Sequence, residues 1–179
     1  CTFDVLPTDN IAPNATCQDI TVQLDPAGTI TINALDIDNG SSDNCSIQSM
    51  TVSPNTFGCS DIGTNTVTLT VTDSSGNTDT CTATVTVQDV TPPDASCGSI
   101  SLTLDSITGL ATITNVNALY LGTGDSCGSV TLSLAQTVFD CSDIGVNPVV
   151  LTITDPNGNS STCTVNVTID PPVITSGTV

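Results

Sequence analysis

The sequence predicts an all-β protein, built as two tandem two-sheet sandwiches stapled by disulfides. Three observations predict it. Apolar and polar residues alternate over many short stretches, no stretch carries a helical period, and four cysteines recur at nearly the same spacing in each half. Residues 64–89, TNTVTLTVTDSSGNTDTCTATVTVQD, set the pattern. Val67, Leu69 and Val71 face one way, an SSGN turn follows, and Ala83, Val85 and Val87 face the same way again. Threonine fills most of the intervening positions. A β-branched side chain fits the pleat and adds little exposed apolar area, so the strip reads as a hairpin with one face buried and the other in water.

The elements before it follow the same logic. Ile20, Val22 and Leu24 alternate with polar residues, Asp25-Pro26-Ala27-Gly28 supplies a turn, and Ile30 and Ile32 alternate again. The run DIDNGSSDN at 36–44 reads as a long polar loop. Ile47 to Val52 is a weaker strand, and a short one lies near Phe57. Six or seven strands in about 82 residues, separated by turn signals, fit a sandwich of immunoglobulin-like type.

The nine cysteines, at 1, 17, 45, 59, 81, 97, 127, 141 and 163, fix the repeat. From Cys17 the spacings run 28, 14 and 22; from Cys97 they run 30, 14 and 22. CSDIG at 59–63 recurs at 141–145, and TDSSGN at 72–77 recurs as TDPNGN at 154–159. Cys1 stands 16 residues before Cys17, as Cys81 stands 16 before Cys97. The expected layout is therefore the last strand of a preceding repeat over 1–9, a first sandwich over 10–89, a second over 90–170, and the start of a following segment or tail over 171–179. This reading takes the chain as a piece of a longer array whose export signal lies elsewhere.

Composition narrows the chemistry. All 18 acidic residues are Asp, no Lys, Arg, His or Glu is present, and the formal net charge is −18. Such a surface repels nucleic acid and anionic lipid, and no run of about 18 apolar residues is available to span a bilayer. A hydrophobic fraction of 37%, arranged with a period of two, separates the chain from disordered tracts of similar charge. Catalysis would rest on Asp alone, with no base to activate Ser or Thr. An enzyme is not expected, and no catalytic residue is assigned.

A sandwich this poor in aromatic residues buries a thin core, and covalent staples compensate. With no C-x-x-C pair and no His, the cysteines read as disulfides formed in an oxidising, extracellular setting rather than as zinc ligands. Four cysteines allow three pairings. Adjacency of first and last strands favours Cys17–Cys81 and Cys97–Cys163. A short hairpin centred near Val52 would set Cys45 against Cys59 and, in the second repeat, Cys127 against Cys141. Cys1 would pair with a cysteine upstream.

At this point TPPDASC at 91–97, DNC at 43–45, G-x-N-x-V at 63–67 and TDSSGNTDTC at 72–81 resemble the hyalin repeat, or HYR domain. The resemblance covers nearly the whole chain, twice. FGC or FDC before SDIG is similar to repeats of very large bacterial surface adhesins, exported by a type IX system and used in gliding. It implies an immunoglobulin-like extracellular module used in adhesion. The second repeat departs from the pattern with Asp125-Ser126-Cys127 and with Asn115–Tyr120.

Calcium is the one candidate cofactor. Asp36, Asp38 and Asp43 offer closely spaced carboxylates on a glycine-bearing loop, which hard cations favour. A second candidate set is the junction acids Asp9, Asp89 and Asp94, near the hairpin residues Asp73 and Asp155. Asp105-Ser106-Ile107 fits an acidic-Ser-aliphatic pattern for O-glycosylation at Ser106. The expected role is a structural spacer, with neighbouring repeats as partners and bundling into filaments as a further interaction. The alternative is a glycan- or protein-binding module, for which Tyr120, the single Tyr, would be the only aromatic platform beside three Phe.

Overall fold

Among the described residues, alternation becomes six strands in each half of the chain. In the first half these are β1 (Ile20–Gln23), β2 (Thr29–Thr31), β3 (Ile47–Ser53), β4 (Thr56–Gly58), β5 (Gly63–Asp73) and β6 (Thr78–Gln88). In the second they are β7 (Ser99–Thr103), β8 (Ala111–Thr112), β9 (Thr131–Leu134), β10 (Val138–Phe139), β11 (Gly145–Thr154) and β12 (Ser160–Asp170). The computed structural model describes residues 9–173, and the chain divides into two units between Val90 and Thr91. The strand expected over 1–9, the partner of Cys1, and the end of the 171–179 segment lie outside the described residues.

Each unit is a four-stranded sheet facing a two-stranded one. The order is β1-β6-β5-β3 with β2-β4 in the first unit, and β7-β12-β11-β9 with β10-β8 in the second. The first and last strands run parallel, with Ile20 opposite Val85 in one unit and Ile100 opposite Val167 in the other. β5 and β6 form the predicted long hairpin. Its outward residues are matched threonines: Thr64–Thr86, Thr66–Thr84, Thr68–Thr82, Thr70–Thr80 and Thr72–Thr78. Cross-strand threonine pairs of this kind stabilise a wet face without making it an apolar patch.

The inward face is aliphatic. Val67, Leu69, Val71, Val85 and Val87 are all buried, as are Val149, Leu151, Ile153, Val165, Val167 and Ile169. One phenylalanine anchors each core, Phe57 from β4 and Phe139 from β10. Asp73 and Asp155 close the hairpins. Each carboxylate accepts the backbone N–H two and four residues on, at 2.8 to 2.9 Å, and the Asn77 or Asn159 amide on its other oxygen. Gly76 and Gly158 take φ near +90° inside these turns, which a side chain would strain. Asn65 and Asn147, from G-x-N, tie the start of β5 and β11 to the preceding turn through Asp61 O and Asp143 O, both at 2.7 Å.

Two expectations are corrected. The polar loop begins with a one-turn helix, α1 (Ala34–Ile37). Asp36 accepts the Asn33 N–H at 2.7 Å, and Ile37 is buried, so capping and burial outweigh the polar composition. There is also no hairpin near Val52. β3 is antiparallel to β5 and β4 is antiparallel to β2, so the chain crosses between sheets at Ser53–Asn55 and continues the same way. Cys45 therefore stands by the Asp73 turn, while Cys59 stands at the far end with its Sγ 3.7 Å from Gly28 O. The expected Cys45–Cys59 and Cys127–Cys141 bridges are not formed; Cys45 and Cys141 are free thiols. Cys59 and Cys127 are disulfide-bonded. Cys17 is bonded to Cys81 and Cys97 to Cys163, with Cα–Cα distances of 5.8 and 5.9 Å.

Candidate functional site

The main convergence of chemistry lies at the end of the first unit where the chain enters it. Asp43 builds a tight turn: its Oδ2 accepts the N–H of Cys45 at 2.8 Å and of Ser46 at 3.0 Å. That turn presents the Cys45 thiol. Asp9 Oδ1 accepts the Ile11 N–H at 3.0 Å and Oδ2 accepts the Asn44 amide at 3.3 Å. Asn77 then clamps the entering segment to the hairpin, donating to Asp9 O at 3.1 Å and to Asp73 Oδ2 at 2.7 Å. One ligand atom each from Asp9, Asp43 and Cys45 lie within 4.8 Å of one another.

The electrostatics follow from having no cationic side chain anywhere. Hydrogen bonds from the Ile11 N–H, the Cys45 thiol and Asn44 hold the Asp9 carboxyl below its usual range. The same contact acts oppositely on sulfur. The bond to Asp9, loss of hydration, and repulsion by Asp9, Asp43 and Asp73 push the Cys45 thiol up. At Asp73 burial works to raise the carboxyl, but the Asn77 amide and the N–H groups of Asn77, Ser75 and Gly76 outweigh it and the net shift is down. Asp43 Oδ1 is buried and has no hydrogen-bond partner.

Of the expected calcium ligands, Asp9 and Asp43 converge. Asp36 caps α1, and Asp38 accepts the Gly40 and Ser41 N–H groups at 3.2 and 3.0 Å; among the described residues neither joins a group of three ligand atoms. Asp73 and Asp155 are consumed by their turns. Asp89 follows β6 and is buried. Asp94 binds the loop of its own unit, accepting the Thr123 N–H at 3.1 Å and the Ser96 hydroxyl at 3.2 Å. Asp125 repeats the Asp43 turn, accepting the Cys127 N–H at 2.7 Å. Cys45, Asn44 and Asn77 were not read as members of this site. The DNC and TDxxGN motifs were the available signal, because both place an amide or thiol beside a turn Asp.

The donor set discriminates between cations. Calcium takes oxygen ligands, so Asp9 and Asp43 would hold it and the Cys45 sulfur would not. Ser106 is exposed in the Asp105 turn, whose carboxylate accepts the Ile107 and Thr108 N–H groups at 2.9 and 2.7 Å. Tyr120 packs against the second core. Its hydroxyl donates to Asp94 O at 2.8 Å and accepts the Gly124 N–H at 2.9 Å.

Fold and site together define a class: a tandem, disulfide-stapled β-sandwich module of an oxidising compartment. Residues 8–87 match the family model of the HYR domain. No curated protein matches the chain at a significant level. Among solved structures, the protocadherin GammaB4 extracellular domain is similar over 89% of this chain and 32% of its own, at 16% identity and TM-score 0.40. Drosophila N-cadherin EC1-4 is similar over 89% of this chain and 50% of its own, at 13% identity and TM-score 0.44. Human protocadherin-24 EC1-2 is similar over 89% and 98%, at 12% identity and TM-score 0.42.

Proposed function

We propose that the chain is a load-bearing spacer of an extracellular repeat adhesin or surface filament, supplying length, stiffness and protease resistance in cell adhesion or gliding. The observation that carries this is the position of the Cys17–Cys81 and Cys97–Cys163 bridges. Each joins the segment before the first strand to the middle of the last, across 64 and 66 residues. Tension applied along the chain enters near Cys17 and leaves near Cys81, so it passes through the sulfur bridge and bypasses everything between. The parallel β1–β6 ladder supports the same reading, since a pull from opposite ends shears all its hydrogen bonds together. With no Lys or Arg, trypsin-like proteases have no cleavage site.

Single-molecule stretching tests it. Oxidised units should extend only by the residues outside the bridge, and reduction should add about 220 Å per unit, from roughly 3.5 Å for each of the bypassed residues. Equal extension in both states would sink the load-bearing reading. The rival binding-module reading has less support, because Tyr120 is engaged in its loop. A glycan array on the chain separates the two; reproducible binding lost on Tyr120→Phe would favour recognition. Calcium, on this reading, neutralises Asp9 and Asp43 and stiffens the entry segment, and glycosylation of Ser106 would shield an exposed turn. A melting temperature indifferent to chelator removes the first, and an unmodified Ser106 in the natively exported protein removes the second.

A further inference from the structure

Asparagine followed by glycine occurs at Asn39-Gly40 and again at Asn157-Gly158. Such a pair reacts with itself. The glycine nitrogen attacks the asparagine side-chain carbonyl and closes an imide ring, an approach that a Cβ on the second residue would hinder. The two pairs sit in unlike settings. Asn157-Gly158 lies in the turn between the long strands β11 and β12. There Asp155 Oδ1 accepts the Asn157 and Asn159 N–H groups at 2.9 and 2.8 Å, and the Gly158 N–H donates to the Asp155 carbonyl at 3.3 Å. A backbone carbonyl is no base, and opening this turn means fraying the hairpin.

Asn39-Gly40 is exposed in the polar loop after α1. The Asn39 side-chain amide has no hydrogen-bond partner among the described residues. Gly40 takes φ +85°, and nothing lies within 4 Å of where its Cβ would stand, so ring closure meets open space. The Gly40 N–H donates to Asp38 Oδ2 at 3.2 Å, so the proton that the nitrogen must lose already faces a carboxylate. Residues 37–42 run beside 14–18 as a short antiparallel ribbon outside the named strands. Gln18 donates to Ile37 O at 2.9 Å, Asn39 to Thr16 O at 2.9 Å, and Asn14 and Ser42 exchange bonds of 2.8 and 3.1 Å. A ribbon this short opens more readily than the β11–β12 hairpin.

We propose that Asn39-Gly40 is a self-modifying site, converting to aspartate and isoaspartate with no enzyme or cofactor. Gly40 N bonds to Asn39 Cγ, the Cγ–Nδ2 bond breaks, and ammonia leaves with the proton that Gly40 gives up. Water then opens the imide at either carbonyl. Opening at Cγ leaves an aspartate at position 39. Opening at the main-chain carbonyl leaves isoaspartate, whose backbone runs through Cβ and is one carbon longer. That carbon falls between the Asn39 and Ser42 bonds of the ribbon, so both cannot stay in register. The Asn39 carbonyl, which accepts the Thr16 hydroxyl at 3.0 Å, leaves the main chain as well. Modification therefore releases the segment just before Cys17 and adds a negative charge to the loop of Asp36 and Asp38. The site goes beyond the spacer reading, and a binding module would carry it equally well.

The test incubates the full chain at mildly alkaline pH, beside a synthetic peptide of residues 36–43 as the unstructured reference. Pepsin digestion in acid, where ring closure is slow, and mass spectrometry read acid in place of amide. Labelling by an isoaspartate-specific methyltransferase reads the rearranged product. Asn39 should convert about tenfold faster than Asn157, with isoaspartate among its products. Aged protein should exchange its Asn14 and Ser42 amide protons faster than an Asn39→Asp variant, which has the charge without the extra carbon. Asn39→Gln, whose longer side chain closes the ring poorly, should melt as the parent does and take up little label. Conversion of Asn157 as fast as Asn39, an Asn39 that stays amide while the peptide converts, or equal labelling of Asn39→Gln overturns the site. Equal exchange in aged protein and Asn39→Asp overturns the release of the ribbon.

Discussion

Removing the Cys17–Cys81 bridge, as a Cys17→Ala/Cys81→Ala double variant, should bring the first repeat close to unfolding while leaving the second unchanged. The bridge spans 64 residues. The chain-entropy relation for a loop of that length gives about 4 kcal/mol of stabilisation at 25 °C, acting through the unfolded state. A small domain has a total of about 5 to 15 kcal/mol. Among its described residues this one buries aliphatic side chains and a single phenylalanine, Phe57, in its core, so it has little to set against the loss. Urea unfolding followed by circular dichroism is the assay. With a slope near 1 kcal/mol per molar for about 80 residues, the midpoint of the first repeat should fall by roughly 3 to 4 M. A fall of less than about 1 M would refute the reasoning, because the aliphatic interior would then suffice without its staple.

Three further outcomes follow from the same contacts. The carboxyls of Asp9, Asp38, Asp79, Asp105 and Asp140 are held low by hydrogen bonds to the ionised form, so their stabilisation is present above the unfolded value near 4 and lost as pH falls through the folded one. Thermal melts should therefore be flat from pH 7 to about 5 and fall steeply below about 4; a melting point that rises on acidification contradicts this. Asp9→Asn exchanges the charged acceptor of the Cys45 proton for a neutral amide oxygen and removes the Asp9 repulsion, so alkylation of Cys45 at pH 7.5 should quicken by about two- to fivefold as its titration moves back toward that of an ordinary thiol. An unchanged rate would show that Asp9 does not govern the sulfur. Asp155→Ala removes three hydrogen bonds from a buried turn and should cost the second repeat about 2 kcal/mol in urea unfolding, a loss that Asp155→Asn recovers only in part.

Strand content was legible because period-two alternation survives in almost every segment, most clearly from Val67 to Val87. What alternation does not encode is which sheet a strand joins. Ile47–Val52 followed by Phe57 reads identically as a hairpin or as a crossover, and the expected Cys45–Cys59 pairing failed there. The available clue was turn chemistry: neither Ser53-Pro54-Asn55 nor Ala135-Gln136-Thr137 holds a glycine, which a tight hairpin would favour. The site was less legible still. Asp36, Asp38 and Asp43 are close in sequence, yet Asp36 is drawn to α1 and Asp38 to its own backbone turn. Asp9 and Asp43 are distant in sequence, and the Asn77 clamp on the entering segment brings Asp9 to the end where the Asp43 turn lies.

The same contacts explain why aspartate suits most of the acidic positions in this chain. Asp25, Asp38, Asp43, Asp73, Asp105, Asp125, Asp140 and Asp155 each accept a backbone N–H two to four residues on, while Asp36, Asp61 and Asp143 close a turn onto the residue three before. Glutamate, one methylene longer, does not make the short loop-closing bond as well. Much of the −18 charge is therefore the by-product of turn-building, and charge alone is no argument for a bound cation. The argument rests on one atom, Asp43 Oδ1, which is buried without a donor beside Asp9. Asp43→Asn isolates it, because an amide keeps the turn through its oxygen and offers Asp9 a donor in place of a repelling charge. In chelator the variant should melt a few degrees above the parent. Millimolar calcium should raise the parent and leave the variant where it was. The same calcium shift in both proteins would place the cation elsewhere, and no shift in either would leave Asp43 Oδ1 as an unrelieved penalty that the Cys17–Cys81 bridge outweighs.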